Sequence, residues 1–222
     1  MDPKLIAPSI LAADFTKLGA ELNTVERAGA DAIHIDIMDG HFVPNFSMGP
    51  DIVKAVRGVT TLPLDVHLMI TNPDQYIPYF IKAGADWISV HVEASRHIDR
   101  TVRAIKTADL KAGVALNPST SLSTLDWMLD QVDYVLILGV NTGFGGQQFI
   151  PYTLEKIRLL RTIIRGKNLS TLIETDGGIN ESTIQEIAAA GVNIFVAGSS
   201  IFGSQDYEVT IKNFRNIISV AK

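Results

Sequence analysis

The stretch AGADAIHIDIMDGH, at residues 28–41, is the part of the chain that decides the fold. Gly29 is placed to end a helical pattern in the left-handed conformation, and a strand is predicted to follow at once over 32–37. Side chains alternate along a strand, so His34 and Asp36 share one face and the isoleucines between them occupy the other. The apolar face suits contact with helices, and the polar face needs partners inside the fold.

The same helix-to-strand connection recurs along the chain. Residues 83–86 repeat AGAD, and residues 190–193 give the looser copy AGVN. Eight apolar runs are predicted as strands: 6–10, 32–37, 64–69, 87–91, 112–116, 134–138, 171–176 and 194–197. Helical patterns follow them near 15–28, 49–56, 74–83, 98–107, 122–129, 151–164, 183–190 and 207–220.

Strands that alternate with helices indicate parallel pairing through right-handed crossovers. A count of eight predicts an α/β protein, a single-domain (β/α)8 TIM barrel over residues 1–222, because no linker or composition break divides the chain. An open doubly wound sheet would show the same alternation and is the alternative.

The composition excludes several classes of protein. The net charge is −5 without a run of Lys or Arg, which disfavours binding to nucleic acid or to an anionic membrane. The chain has no cysteine, so disulfides, thiolate ligands and a cysteine nucleophile are excluded. The start, MDPK, has no signal-peptide pattern and no apolar run is long enough to span a membrane, so we expect a cytoplasmic protein.

Polar side chains at predicted strand ends are the candidate catalytic and metal-binding residues, because the active sites of barrels lie at that end. His34 and Asp36 end the second strand, His67 lies near the end of the third, and Asp176 ends the seventh. Two imidazoles and two carboxylates suit one divalent transition metal, Zn, Fe, Mn or Co. Taken singly, each histidine could be a hydrogen-bonded core residue and each aspartate a helix cap.

Other polar residues near the predicted strand ends are not counted among the candidate ligands. Asp65 and Glu174 come two residues before expected ligands and should point inward one layer deeper, where they would orient the histidines or form a buried polar network. His91, at the end of the fourth strand, is left unassigned, because it could lie behind a metal ligand rather than be one. His41 and His97 lie in or beside loops, where solvent exposure is expected.

Glycine-rich segments follow the last three strands, at 143–146 (GFGG), 177–178 (GG) and 198–200 (GSS). Glycine allows backbone N–H groups to approach an anion, and barrels often bind phosphate in the loops after strands seven and eight. Each glycine pair alone is more often a tight turn, but three together favour a phosphate site. No Gly-Lys-Ser/Thr follows, and none of these loops contains Arg or Lys.

Taken together, these motifs resemble the ribulose-phosphate 3-epimerase family along nearly the whole chain. The matching stretches are APSILAAD (7–14), HIDIMDGHFVPN (34–45), DVHLM (65–69), NP (117–118), GFGGQ (143–147) and DGG (176–178). The resemblance implies a metal-dependent enzyme that interconverts D-ribulose 5-phosphate and D-xylulose 5-phosphate through an enediolate, in the pentose phosphate pathway. The expected partner is a small sugar phosphate, and a homo-oligomer is possible.

The resemblance also implies roles for individual residues. The metal ligands would be His34, Asp36, His67 and Asp176, of which Asp36 and Asp176 would also be the acid–base pair. Met38 and Met69 would form an apolar cap beside the reacting carbons, although core packing explains them equally well. Substrate contacts would come from Ser9, His67, Gly143, Phe144, Gly145, Gly146, Gly177, Gly178, Gly198 and Ser199.

The sequence departs from the family pattern in the loop after the sixth strand. Leu138 stands where a methionine is usual, and Thr142 stands where a proline is usual. These departures affect loop rigidity more than the reaction type, since neither position is an expected ligand.

Three other functions compete with this one. A 3-epimerase of a six-carbon ketose phosphate, such as allulose 6-phosphate, would share the metal and the mechanism. A lyase or decarboxylase on a related barrel predicts a lysine near the reacting carbon, and no predicted strand ends in one. A non-catalytic phosphosugar-binding module would not need two carboxylates.

Overall fold

A computed structural model of the chain describes residues 3–221, so Met1, Asp2 and Lys222, which belong to the predicted domain range, lie outside the described residues. Within that range eight parallel strands form one sheet in the order β1-β8-β7-β6-β5-β4-β3-β2. An isolated parallel bridge between Ser9 and His34 joins the two edges and brings the sheet to a nearly closed barrel. The strands are β1 (Leu5–Pro8), β2 (Ile33–Met38), β3 (Leu64–Met69), β4 (Trp87–His91), β5 (Lys111–Leu116), β6 (Tyr134–Leu138), β7 (Leu172–Asp176) and β8 (Ile194–Ala197).

The predicted (β/α)8 barrel is confirmed, and the open doubly wound alternative is wrong. The helices are α1 (Leu18–Arg27), α2 (Pro50–Arg57), α3 (Pro73–Ala83), α4 (Ile98–Thr107), α5 (Thr153–Gly166), α6 (Ile184–Ala190), α7 (Ser199–Phe202) and α8 (Tyr207–Val220). Among residues 3–221, no helix has both the length and the hydropathy that a membrane span requires.

The structure differs from the predicted elements in one helix, one strand end and one additional helix. The helix predicted over 122–129 is only a 3₁₀ turn, Leu122–Leu125, because the backbone N–H groups of Thr124 and Asp126 bond to carbonyls three residues back rather than four. The first strand ends at Pro8 rather than Ile10, since Ser9 caps a 3₁₀ turn there. The short helix α7 was not predicted.

The repeated helix-to-strand connections at the bottom of the barrel have the left-handed glycine that the sequence predicts. Gly29, Gly84 and Gly191 all have positive φ, so each ends its helix in the left-handed conformation. The aspartates after two of them have a further role. Asp31 accepts a hydrogen bond from Ile6 N at the start of β1, and Asp86 accepts one from Leu64 N at the start of β3, both at 2.8 Å. Each connection is thus tied to the adjacent strand.

The inside of the barrel is apolar at the bottom and polar above. A buried apolar cluster forms the lower layer, where Ala7, Ala32, Trp87 and Ile194 pack with Tyr134. Tyr134 fits because β5 carries Gly113 beside it: a Cβ at Gly113 would lie 2.3 Å from the ring. Above this layer the inward residues include histidines, aspartates and a glutamate, and these form the base of the site.

Candidate active site and metal centre

Four side chains from three strands converge inside the barrel. Parallel pairing places Asp36 beside His67 on the neighbouring strand, and His34 lies one inward position below Asp36. Asp176 is the last residue of β7. Each of the four residues offers one ligand atom, and the four atoms lie within 4.8 Å of one another. The group predicted from sequence is therefore close enough to hold one metal ion.

His34 is fully buried and presents one ring nitrogen to this group. Its Nδ1 lies 2.7 Å from Asp65 Oδ2, and the other Asp65 oxygen accepts a 2.9 Å hydrogen bond from the Tyr134 hydroxyl. Its Nε2 lies 3.3 Å from Asp36 Oδ1 but makes no hydrogen bond. Burial alone would lower the pKa of His34, but Asp36 and Asp65 raise it well above its usual value. The surroundings of Nε2 therefore stabilise a cation, and a metal ion fits there.

His67 is held between an aspartate and a third histidine. Its Nδ1 lies 3.1 Å from Asp36 Oδ1, and its Nε2 lies 2.9 Å from His91 Nε2. Burial, together with the neighbouring His91 and His34, lowers the pKa of His67 to about 4, although Asp36 opposes the shift. The ring is therefore neutral near pH 7, which is the form that binds metal ions.

The two carboxylates differ in their preferred state of ionisation. Burial would raise the pKa of Asp36, but His34 and His67 hold it well below its usual range, and Ser9 Oγ donates a 2.6 Å hydrogen bond to Asp36 Oδ2. Burial raises the pKa of Asp176 to about 7, and the negative charge of Asp36 adds to the rise. Without a metal, Asp36 is ionised near pH 7 and Asp176 is close to half protonated.

Glu174 lies below this group, where the sequence predicted an inward side chain. Its Oε1 is 3.6 Å from His34 Nδ1, and neither carboxyl oxygen makes a hydrogen bond. Burial and the charge of Asp65 raise the pKa of Glu174 well above its usual value. Asp65, rather than Glu174, therefore makes the hydrogen bond that orients His34.

A cavity of about 780 Å³ opens above the four side chains. Asp36 and Asp176 form part of its wall, while His34 and His67 are fully buried beneath it. The structure thus brings together nearly every residue that the sequence predicted for substrate binding, with His67 below. Those on the wall are Ser9, Gly143, Phe144, Gly145, Gly146, Gly177, Gly178, Gly198 and Ser199.

The glycine pair after β7 is required by its geometry. Gly177 and Gly178 have φ values of +97° and +73°, which side chains rarely adopt. A Cβ at Gly177 would lie 2.4 Å from the Val140 side chain, and one at Gly178 would lie 2.5 Å from Phe149 N. The loop after β7 can therefore pack against the loop after β6 only with glycine at both positions.

The two methionines that the resemblance assigns to an apolar cap both reach the cavity. Met38 and Met69 are buried, contact Val43 in one apolar cluster and line the cavity. Leu138, where the resemblance led us to expect a methionine, lines the same cavity and is 1% exposed. The substitution keeps an apolar surface there and removes only the sulfur.

The loop after β6 is fastened by side-chain hydrogen bonds. Thr142, at the family's proline position, donates to Asn117 Oδ1 at 2.8 Å. Asn45, from the loop after β2, donates to the Gly143 carbonyl at 2.8 Å. Gln147 Nε2 donates to the carbonyls of Asn141 and Phe144 within the loop. These bonds restrain a segment that contains several glycines and lacks the usual proline.

Comparison with known proteins agrees with this geometry. A model of the ribulose-phosphate 3 epimerase family matches residues 5–202. The chain belongs to the ribulose-phosphate 3-epimerase family. It is 53% identical to ribulose-phosphate 3-epimerase of Bacillus subtilis over 212 residues, covering 95% of this chain and 97% of that protein. It is 48% identical to ribulose-phosphate 3-epimerase of Escherichia coli strain K12 over 217 residues, covering 97% and 96%.

Membership of the ribulose-phosphate 3-epimerase family confirms the family predicted from the sequence motifs. The barrel also resembles 3-hexulose-6-phosphate synthase from Salmonella typhimurium, with a TM-score of 0.75 over 98% of this chain and 100% of that one. Identity to that synthase is 16%, so this second likeness shows the fold alone.

Some residues of the site in this epimerase-family chain were not predicted. Asn45 and Ser200 also line the cavity, and the buried Ser200 hydroxyl makes no hydrogen bond within the described chain. His91 touches the predicted ligand His67, and Glu93 touches His91. The position of His91 at a strand end was the only signal, because its contact with β3 depends on the pairing register.

Proposed function

We propose that this chain is a metal-dependent 3-epimerase that interconverts D-ribulose 5-phosphate and D-xylulose 5-phosphate through an enediolate. The observation that carries the proposal is the placement of Asp36 and Asp176 on the wall of one cavity, on strands three positions apart in the barrel. Inversion at a carbon next to a ketone needs a proton removed from one face and another delivered to the opposite face. Two separate carboxyl groups can do this without either crossing the plane of the intermediate.

The two carboxyl groups take complementary parts. Ionised Asp36 accepts the C3 proton of D-ribulose 5-phosphate, and protonated Asp176 donates to the opposite face. The roles reverse for D-xylulose 5-phosphate. Ser9 holds one Asp36 oxygen by its hydrogen bond and so limits the directions from which the carboxylate can reach the substrate.

A single divalent metal would be held by His34, Asp36, His67 and Asp176. The mixed nitrogen and oxygen donor set favours Zn, Fe(II), Mn or Co over Mg or Ca. When bound, the ion supplies Lewis-acid stabilisation of the negative charge that develops on the substrate oxygens.

The phosphate group would lie against the glycine loops after β6, β7 and β8. Gly177, Gly178 and Gly198 line the cavity and let backbone N–H groups approach an anion. Phosphate recognition by backbone dipoles agrees with the absence of Lys and Arg from the cavity wall among residues 3–221. Met38, Met69 and Leu138 would cover the apolar side of the reacting carbons.

The test follows hydrogen at C3. Epimerisation of D-ribulose 5-phosphate in D2O should place deuterium at C3 of the product, because the proton accepted by one carboxylate is not the one delivered by the other. Asp36→Asn and Asp176→Asn should each lower kcat by about 10²- to 10⁴-fold. Product NMR and coupled assays measure both effects. Metal content is measured for each variant, so that lost chemistry is separated from lost metal.

Asp51→Asn, at an exposed position on α2, is the control and should leave kcat unchanged. A metal-loaded variant can still exchange the C3 hydrogen of the epimer whose base survives, so the two active-site variants should show opposite preferences. Near-normal epimerisation by either metal-loaded variant would remove that aspartate from the mechanism. Retention of the substrate's own C3 hydrogen throughout would indicate a single base.

A further inference from the structure

A row of hydrogen-bonding side chains leads from the candidate metal site to the edge of the barrel. It begins with His67, whose Nε2 lies 2.9 Å from His91 Nε2, and continues from His91 Nδ1 to Glu93 Oε2 at 3.1 Å. His91 is fully buried, and the Phe42 ring packs against it with ring centroids 4.8 Å apart. Glu93 is the last member of the row.

The other oxygen of Glu93 is also occupied. Oε1 accepts hydrogen bonds from Asn117 N, at 3.0 Å, and from the Thr120 hydroxyl. Burial alone would raise the pKa of Glu93, but the hydrogen bonds from His91, Thr120 and Asn117 lower it to about 2. Near pH 7 the row therefore ends in an ionised carboxylate, which can only accept hydrogen bonds.

The donor and the acceptor of each hydrogen bond in the row are fixed by the ionised Glu93 at one end and by the proposed metal at the other. On the proposed function, His67 binds the metal through Nδ1, the nitrogen that faces Asp36, and that atom must be unprotonated. The single proton of the neutral ring is then on Nε2, which donates to His91 Nε2. The proton of His91 is left on Nδ1 and is donated to Glu93 Oε2.

We propose that Glu93 and His91 are positioning residues that hold His67 in the tautomer with a lone pair on Nδ1. They contact neither substrate nor reacting atoms. They affect metal affinity through two hydrogen bonds, from His67 to His91 and from His91 to Glu93, both donated in the direction away from the metal site. Asp65 has the matching relation to His34, so each histidine of the site has its own carboxylate.

Glu93→Gln tests the proposal, because the side-chain amide has the shape of the carboxylate and can also donate. Asn117 N and Thr120 would fix the amide oxygen at the Oε1 position, since both are donors. The amide NH2 would then face His91 Nδ1 and donate to it. His91 would donate from Nε2 to His67 Nε2, and the His67 proton would move to Nδ1, where it competes with the metal.

The experiment is a zinc titration of the full-length protein in competition with a fluorescent chelator, with wild type and variant side by side. Glu93→Gln should weaken zinc binding by about 10- to 100-fold. Thr120→Val is the matched control. It removes a bond to the same carboxylate but leaves the charge and the acceptor for His91, so zinc affinity should stay within about twofold of wild type.

The tautomers are measured separately by long-range ¹H–¹⁵N NMR on protein with labelled histidine. In the zinc-loaded wild type, His67 should be protonated on Nε2 and His91 on Nδ1. In metal-free Glu93→Gln, both protons should be on the opposite nitrogens. A purely structural role for Glu93 would change neither spectrum in this way.

The outcomes separate the two proposals. If wild type and Glu93→Gln bind zinc equally tightly and the tautomers are unchanged, the positioning role is overturned. The proposed function is then left intact. A wild type that binds no divalent transition metal would overturn the metal-dependent function first, and this inference with it.

Discussion

Gly198 offers a test of phosphate binding at the level of one residue. Its φ of −98° lies outside the left-handed region, and the atoms nearest to an added Cβ would be the Ala12 side chain at 3.4 Å and two Ser9 atoms beyond it. A side chain at position 198 therefore fits, but it occupies part of the cavity. Gly198→Val should raise KM for D-ribulose 5-phosphate by about tenfold, equivalent to roughly 1.4 kcal/mol of lost binding, with little change in Tm.

Gly49→Val is the matched control, because an added Cβ there meets nothing within 4 Å and the position lies outside the cavity. It should leave KM unchanged. Unphosphorylated ribulose should be a very poor substrate of the wild type. Similar kcat/KM values for ribulose and its 5-phosphate would contradict phosphate recognition by this loop.

The candidate ligands could be predicted from sequence because each depends on a local rule. Alternation puts His34 and Asp36 on one face of β2, and the ends of β3 and β7 place His67 and Asp176 at the same mouth. The contact between His67 and His91 could not be predicted in this way. It depends on the register of β3 with β4 and on two ring orientations, and neither leaves a pattern in the sequence.

The loop after β6 is the element in which the sequence analysis found departures from the family pattern. Thr142 lacks the fixed φ of proline but gains the hydrogen bond to Asn117. Thr142→Val removes the bond without restricting the backbone, and should lower kcat/KM by about fivefold, as expected for about 1 kcal/mol. Thr142→Pro should keep the reaction and lower loop mobility, because proline reduces the freedom of the open loop.

Steady-state kinetics and backbone relaxation of residues 139–148 measure both effects. Thr142→Ser, which retains the hydroxyl, should behave like wild type. A misfolded, inactive Thr142→Pro protein would show that the loop has diverged from the family conformation. A Thr142→Val protein with normal kinetics would show that the hydrogen bond to Asn117 does not restrain the loop in solution.

Helices and strands with strong periodicity were predictable, and the segment 122–129 is the exception. Its apolar residues have the spacing of a helix, but the backbone N–H groups of Thr124, Asp126 and Met128 bond to carbonyls three residues back rather than four. The spacing of apolar side chains does not distinguish these two hydrogen-bonding patterns over so short a segment.

At the scale of the whole molecule, the proposed metal should link activity to stability. The ligands come from β2, β3 and β7, so they assemble only when the barrel is folded. A ligand that binds only the folded state stabilises it, by about 2.7 kcal/mol at a free concentration 100 times Kd. Removal of metal should abolish turnover and lower Tm, and addition of Zn, Fe(II), Mn or Co should restore both.

Calorimetry and activity assays on the same preparations check this prediction. His67→Ala is the comparison variant, and its Tm should rise much less when metal is added. Full activity in a preparation verified to be free of metal would contradict the dependence.

The junction between β1 and β2 has a consequence for protein engineering. Ser9 bridges to His34 where the sheet closes, and its hydroxyl holds Asp36 at 2.6 Å. The closure therefore uses the backbone of Ser9, and its side chain adds a second link from β1 to β2 through Asp36. Replacing Ser9 to admit another sugar keeps the backbone bridge but removes the side-chain link, so one change affects both the proposed acid–base residue and the closure. Changes to substrate preference are better sought in the loops after the other strands, which can vary while the junction between β1 and β2 stays intact.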